Sequence, residues 1–144
     1  MGALLSPAAF VEAHWRAAIE GRIGDVIAAY ADSDDTYVFP EGPRWATRGK
    51  RLIETGWRAY LQAPFRLTSY AWIEGPLSGS AADLGWCAGV AEFGVQRGKD
   101  TTRVRFRFSF VLACADDRWR IVHEHFSQPA ADPYGTGDWL KASG

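Results

Sequence analysis

The sequence predicts a single α+β domain in which three N-terminal helices pack on one face of a curved, mostly antiparallel sheet. Three observations predict this class. Apolar residues recur at helical spacing up to about residue 63, and they alternate from residue 65 onward. The alternating segments are joined by short connections rich in turn-forming residues. The 144 residues suit one domain, so the helices and the strands must share a core.

Each of the three helices has its own start and an apolar stripe. Ser6-Pro7 pairs a capping residue with proline at the first helical position, and the stripe that follows ends near Gly21. A second, short helix is predicted from Asp25 to about Ala31. A third, KRLIETGWRAYLQA, follows Gly49. The stripe of the first helix comprises Phe10, Val11, His14, Trp15, Ala18 and Ile19.

The segments rich in β-forming residues predict one short strand and four long strands. The short strand, Thr36 to Phe39, is stopped by Pro40. The connections GPLSGS, RGKD and ADD predict antiparallel turns between the long strands. The four long strands are predicted at Phe65–Glu74, Ala82–Gln96, Thr101–Ala115 and Arg118–Ser127. The domain core therefore spans about residues 7–128, and 129–144 is predicted to be an irregular tail, with Tyr134 and Trp139 folding back.

The net charge, the cysteines and the N-terminal segment indicate which partners and which cellular compartment to expect. A formal net charge of −1 supplies no general field for nucleic acid or an anionic membrane, so neither is expected as a partner. Cys87 and Cys114 follow no metal-binding spacing and are expected to be buried thiols in a reducing compartment. The start, MGALLSPAAF, lacks a basic region before an apolar one, and no segment approaches the length of a membrane span. We expect a cytoplasmic protein.

The stretch WRIVHEHFSQP contains two of the three histidines. Strand alternation places His123 and His125 on one face with Ile121 and Ser127, and Val122, Glu124 and Phe126 on the other. Three interpretations stay open: polar lining of the sheet interior or a dimer surface, a proton-transfer or ligand-orienting group, and a metal site. Because a metal would need a third ligand such as His14 on a helix, no metal site is assigned.

Alternating arginines mark the segment TTRVRFRFSFVLA. Arg103, Arg105 and Arg107 share a face with Ser109 and Val111, opposite a row of aromatic side chains. Arg103 and Arg105 are expected to be solvated. Arg107 stands where its face becomes apolar, so we expect partial burial and a partner, either Glu92 or a ligand carboxylate.

Known cofactor and nucleophile motifs are not found in this sequence. It contains no G-x-G-x-x-G, P-loop, G-x-S-x-G or H-E-x-x-H pattern. Nucleotide cofactors and serine-hydrolase chemistry are therefore disfavoured, and no cofactor is expected.

Three stretches carry a resemblance to a known superfamily: GDVIAAYADSDDTYVF, RGKRLIETGWRAY and WRIVHEHFS. With the element order, they resemble the nuclear-transport-factor-2-like or SnoaL-like (ketosteroid-isomerase-like) α+β cone over about residues 7–128. The last stretch is similar to the closing strand of the calcium/calmodulin-dependent kinase association domain. The resemblance implies a central conical pocket between helices and sheet, arginines suited to anionic ligands, and a homodimer through the sheet. It does not imply one function, because this fold serves many.

The resemblance fails at one informative position. In DTYVFPEGPR, ketosteroid isomerases place their general-base aspartate immediately before the proline, where this chain has Phe39. A phenyl ring cannot transfer a proton, so the steroid isomerase mechanism is disfavoured. Glu41 is the nearest carboxylate in sequence.

Two functions remain as hypotheses. The first is a pocket domain that binds a small acidic or aromatic ligand without a tightly bound cofactor. The second is a cofactor-independent isomerase, lyase or cyclase in which His125 or Glu41 transfers a proton. The ligand-binding residues expected in either case are Arg107, His123, Trp15, Tyr37, Phe39, Trp45, Trp57, Trp86 and Glu92.

Overall fold

The computed structural model describes residues 4–138 and confirms the α+β class. The helices are α1 (Pro7–Ile19), α2 (Ile23–Ala28) and α3 (Lys50–Tyr60). The strands are β1 (Tyr37–Phe39), β2 (Thr47–Arg48), β3 (Arg66–Ala81), β4 (Leu84–Arg97), β5 (Asp100–Ala115) and β6 (Arg118–Ser127). They form a single sheet with the strand order β2-β1-β6-β5-β4-β3, in which every neighbouring pair is antiparallel except the parallel pair β1–β6.

Helix α1 begins where its capping residue predicts. The Ser6 hydroxyl accepts a hydrogen bond from the Ala9 amide at 3.1 Å, and Pro7 occupies the first helical position. The buried side of α1 packs against β3 and β4 and carries Val11, His14, Trp15 and Ala18. None of the helices among residues 4–138 is long and apolar enough to span a membrane.

Helix α2 ends earlier than the sequence predicts. Its last residue is Ala28 rather than about Ala31, because the backbone after it turns to pair with β6. The Ala31 amide donates to the Ile121 carbonyl at 2.9 Å, and the Ile121 amide donates to the Ala29 carbonyl at 2.8 Å. This pairing fixes Tyr30 against the last strand.

Strand β3 is longer than predicted, because GPLSGS continues the strand instead of forming a turn. The strand runs on to Ala81, and the turn falls at residues 82–83. Its pairing with β4 skips from Glu74 to Leu77, which leaves Gly75 and Pro76 in a bulge. Such a bulge is tolerated because β3 is an edge strand of the sheet.

A second bulge decides which residues of β6 face the helices. Val111 pairs with His123 and Leu112 with Ile121, so Val122 is the extra residue. We call the side of the sheet that faces the helices the inner face and the other side the outer face. Because of the bulge, Ile121 lies on the inner face and is fully buried, whereas His123 lies on the outer face. The prediction that Ile121 shares a face with the two histidines is therefore wrong.

Aromatic rings fill the space between α1 and the sheet. Trp15, only 4% exposed, contacts six rings at centroid distances from 4.8 to 6.1 Å. These rings are Tyr70, Trp72, Phe93, Phe108, Phe110 and Phe126. Trp15 is thus a core residue, and the middle of the cone is packed around it.

The tail after β6 is irregular up to residue 138, as predicted. Tyr134 is 73% exposed, so the predicted fold-back does not bury its side chain. The expected fold-back of Trp139 lies outside the described residues.

Candidate functional site

A cavity of about 800 Å³ lies at the ends of β1 and β6, beneath the connection from β1 to β2. We call it the β1–β6 cavity. Its aromatic walls are Tyr37, Phe39, Trp45, Phe106 and Phe126. Its polar side chains are Glu41, Arg44, His125, Ser127 and Gln128. The cavity forms here because β1 is only three residues long and Pro40 directs the chain away from the sheet.

The rings around the cavity are partly held by one another. Phe39 lies edge-on to His125 at 5.3 Å between centroids and to Tyr37 at 5.0 Å. Phe106 and Phe126 form a second edge-on pair at 6.2 Å. Trp45 is 95% exposed, so its ring can contact a ligand without leaving a core position.

A buried polar cluster, the Tyr30–Glu124 cluster, lies between the helices and β6. Its members are Tyr30, Glu124, Trp57 and His14. The Tyr30 hydroxyl donates a hydrogen bond to Glu124 Oε1 and accepts one from Trp57 Nε1 at 3.1 Å. Burial raises the pKa of Glu124 to about 8, and the nearby Glu41 carboxylate adds to this rise. Glu124 is consequently protonated in most molecules at neutral pH.

His14 is the second unusual member of the cluster. Its ring is 5.4 Å from that of Tyr30, and its buried Nδ1 has no hydrogen-bond partner within residues 4–138. Burial lowers the pKa of His14 to about 4, so the imidazole is neutral at pH 7. An unpaired polar atom in a packed core carries a desolvation cost.

Glu41 connects the cavity to the buried cluster. It lines the cavity, and its charge raises the pKa of both Glu124 and Tyr30. Although the residue as a whole is solvent-accessible, desolvation by neighbouring atoms raises the pKa of the Glu41 carboxyl. None of the ion pairs found among residues 4–138 involves Glu41.

The structure divides the predicted site residues among three places. His125, Glu41, Tyr37, Phe39 and Trp45 meet at the β1–β6 cavity. Trp15 belongs to the core, and Trp57 belongs to the buried cluster. Arg107, His123, Trp86 and Glu92 lie on the outer face.

Arg107 is not partly buried, contrary to the prediction. It is exposed, and its Nε donates to the Ser127 hydroxyl at 2.7 Å instead of to a carboxylate. Glu92 pairs with Arg105 at 3.2 Å and with Arg103 at 3.7 Å. The physical reason is that the open outer face lets the Arg107 guanidinium remain in water.

The three histidines do not converge on one point. His14 lies inside the core, whereas His123 and His125 lie on the outer face, so the sheet separates His14 from the other two histidines. His123 Nδ1 is 2.6 Å from the Tyr37 carbonyl oxygen. Burial, assisted by Arg107 and His123, lowers the pKa of His125. Among residues 4–138, no group of three or more His, Cys, Asp or Glu side chains is placed to hold a metal ion.

Sequence reasoning missed Glu124, Arg44, Phe106 and Phe126 as site residues. For Glu124 a signal existed: it is a carboxylate on the same strand face as Phe126, opposite the histidines. A charged residue in an otherwise apolar row indicates a special environment. What the alternation did not specify was which face meets the helices.

The element order, the curved six-stranded sheet and the helices on one face define this protein as a nuclear-transport-factor-2-like α+β cone. The family model for the SnoaL-like domain matches residues 8–131, so the chain belongs to the SnoaL-like family. No curated protein matches it.

Solved structures of the same fold support this class. A nuclear transport factor 2-like superfamily protein from Salmonella enterica is 21% identical, with a TM-score of 0.73 and coverage of 90% of this chain and 93% of that one. A ketosteroid isomerase-like protein from Erwinia carotovora is 18% identical, with a TM-score of 0.70 and coverage of 88% and 96%. A protein from Xanthomonas campestris, provisionally assigned as a calcium/calmodulin dependent protein kinase II association domain, is 20% identical, with a TM-score of 0.72 and coverage of 87% and 86%.

Proposed function

We propose that this protein is a small-molecule-binding domain that holds a flat aromatic or apolar ligand in the β1–β6 cavity, without a tightly bound cofactor. One observation carries the proposal: a cavity of about 800 Å³ has walls of five aromatic side chains, with five polar side chains available to orient a ligand. Ligand sites commonly combine this size with mostly apolar walls and a small number of polar groups that orient the ligand.

Calorimetric titration with 1-naphthaleneethanol, a neutral aromatic probe, tests the proposal. We expect binding to the wild-type protein and at least a tenfold loss of affinity in Trp45→Ala. Because Trp45 is 95% exposed, the variant should melt at the wild-type temperature. Leu52→Ala, which removes an exposed apolar side chain from α3 outside the cavity and outside the sheet, is the matched control. Binding that is absent, or that is unchanged by Trp45→Ala, contradicts the proposal.

A second candidate function is cofactor-independent proton transfer of the isomerase or lyase type. It is favoured by two neighbouring carboxyl groups with raised pKa values, Glu41 at the cavity and Glu124 behind it. A carboxylate of raised pKa is a stronger base than a solvated one and suits removal of a proton next to a carbonyl group. Glu41 would be the base, and the proton would return to the same carbon skeleton.

Deuterium exchange tests the second candidate. Phenylacetone is incubated with the protein in D₂O, and loss of its α-proton signals is followed by NMR. The candidate requires exchange above the buffer rate and its loss in Glu41→Gln. Exchange at the buffer rate with the wild-type protein contradicts it without affecting the binding proposal.

We also propose that the protein forms a homodimer through the outer face of the sheet. The strand registers place Tyr37, His123, Val111 and Trp86 side by side across four strands. Trp86 is 46% exposed and Val111 37% exposed, and Leu77 nearby is 66% exposed. An exposed aromatic and aliphatic patch of this kind favours association.

A cytoplasmic location is proposed from the cysteines. Cys87 and Cys114 are both free, and burial raises the pKa of the Cys87 thiol to about 11. Only Cys87 is buried and Cys114 is half-buried, contrary to the expectation of two buried thiols, but two unpaired thiols still suit a reducing compartment. Cell fractionation with an antibody to the protein checks the location.

A further inference from the structure

We propose that the ligand of the β1–β6 cavity carries a protonated amine, which is held by the Glu41 carboxylate and by the faces of the surrounding aromatic rings. This inference rests on the proposed binding function and specifies the chemical class of its ligand.

The first argument is the position of the Glu41 charge. The side chain lines the cavity, and no cation among residues 4–138 pairs with it. Its neighbours toward the interior are Glu124 and Tyr30, two acids that cannot neutralise it. A desolvated carboxylate without a counter-ion is unfavourable. A ligand cation would supply the missing charge, whereas a ligand carboxylate would add to the repulsion.

The second argument is the chemistry of the cavity walls. Tyr37, Phe39, Trp45, Phe106 and Phe126 surround the space next to Glu41. The face of an aromatic ring attracts a cation through its quadrupole, and Trp does so most strongly. Rings combined with one carboxylate bind an organic ammonium ion better than they bind a neutral or anionic group of the same shape.

The positive groups near the cavity do not reverse this preference. Arg44 lies on the same exposed connection between β1 and β2 as Glu41, and no ion pair joins the two side chains among residues 4–138. Arg107 is exposed on the outer face and bonded to Ser127. Burial, together with Arg107 and His123, lowers the pKa of His125 and so disfavours its cationic form. The charge closest to the buried cluster is therefore the carboxylate of Glu41.

Two probes that share a naphthyl ring test the inference against 1-naphthaleneethanol: the cation 2-(1-naphthyl)ethylamine and the anion 1-naphthylacetate. We expect calorimetry at pH 7 to give at least tenfold tighter binding for the amine than for the acid. Glu41→Gln should weaken amine binding at least tenfold. Glu74→Gln, which removes the same charge from an exposed residue outside the cavity, should leave it unchanged.

The outcomes separate this inference from the binding proposal. If the acid binds as tightly as the amine, or if Glu41→Gln leaves amine binding unchanged, the amine class is wrong, and binding of the alcohol still supports the cavity as a ligand site. If none of the three probes binds, both proposals are contradicted. Circular dichroism melting of Glu41→Gln confirms that the variant is folded.

Discussion

At the scale of single residues, Glu124 has a direct effect on stability. Its pKa is raised from 4.5 in an exposed setting to about 8 in the folded protein. Between these two values the folded state binds more protons than the unfolded state. The free energy of unfolding must therefore decrease as the pH rises from about 4.5 to about 8.

His14 has the opposite effect over a lower range. Its pKa falls from 6.5 to about 4 on folding, so the unfolded state binds more protons between these values. The stability that a neutral His14 contributes is present above pH 6.5 and is lost as the pH falls toward 4. Between about pH 4.5 and 6.5 the two groups change the free energy of unfolding in opposite directions. Above pH 6.5 the decrease caused by Glu124 dominates.

Replacement of Glu124 by Gln should remove most of the decrease in unfolding free energy that the wild-type protein shows above pH 6.5. We expect the wild-type protein to lose about 2 kcal/mol of unfolding free energy between pH 6.5 and pH 8.5, at about 1.4 kcal/mol per pKa unit. Gln keeps the shape of the protonated acid and has no charge to bury. Urea titrations at the two pH values measure the difference. The control Glu74→Gln should show the wild-type loss, and a wild-type protein that is equally stable at both pH values would refute this account.

At the scale of elements, the two bulges determine which side chains meet. The bulge in β6 turns Ile121 inward while keeping His123 outward, and the bulge in β3 places Gly75 and Pro76 against Gly89 of β4. A Cβ atom at Gly89 would lie 2.4 Å from the Glu74 carbonyl oxygen, which belongs to the backbone and cannot rotate away. Glycine is required here for close approach of two strands.

Gly89→Ala should therefore destabilise the protein by about 1–3 kcal/mol, the usual range for overpacking a closely packed position. The matched control is Gly56→Ala in α3, where a Cβ atom would meet nothing within 4 Å. That change should stabilise the protein by about 0.5–1 kcal/mol, because alanine loses less entropy in a helix. Both values come from urea unfolding. Equal effects of the two substitutions would show that the bulge tolerates a side chain.

The order of the helices and long strands and the strand alternation could be predicted from the sequence because they depend on local periodicity, whereas the two-residue strand β2 was missed because it is too short to show any. The prediction that Arg103, Arg105 and Arg107 share a face is correct, since β5 pairs with β4 without interruption from Asp100 to Ala113. The face of Ile121 was wrong because a bulge depends on pairing with another strand. Glu124 could be seen as an anomaly, but its bond to Tyr30 joins residues 94 positions apart. No local pattern contains that information.

At the scale of the whole molecule, the exposed patch on the outer face raises the question of assembly. Trp86 belongs to that patch and lies next to Val111 on the neighbouring strand. A charge at the centre of a desolvated interface is strongly unfavourable, whereas a charge on a solvated surface costs little. Substitution of exposed apolar residues can thus locate the interface.

Trp86→Glu should convert the proposed dimer into a monomer. The matched control is Leu52→Glu on α3, because Leu52 is 55% exposed and lies outside the sheet. Size-exclusion chromatography with light scattering gives the molar mass of each variant. A wild-type monomer, or a Trp86→Glu protein that stays dimeric, would contradict assembly through this face.

The order of strands in the sheet also has a consequence for how the chain reaches its native state. In the described part of the chain, strand β1 pairs only with the two-residue β2 and with β6, the last strand in sequence there. During synthesis, residues 30–48 therefore leave the ribosome long before their main partner does. Strands β3 to β5 can pair earlier as consecutive hairpins, whereas the cavity and the Tyr30–Glu124 bond form only after β6 arrives. Closure of such long-range contacts slows folding, because chain entropy is lost before the contacts compensate for it. We therefore expect the proposed ligand site to be completed after strands β3 to β5 have paired, and a nascent chain that stops before Arg118 lacks the strand that supplies one wall of it.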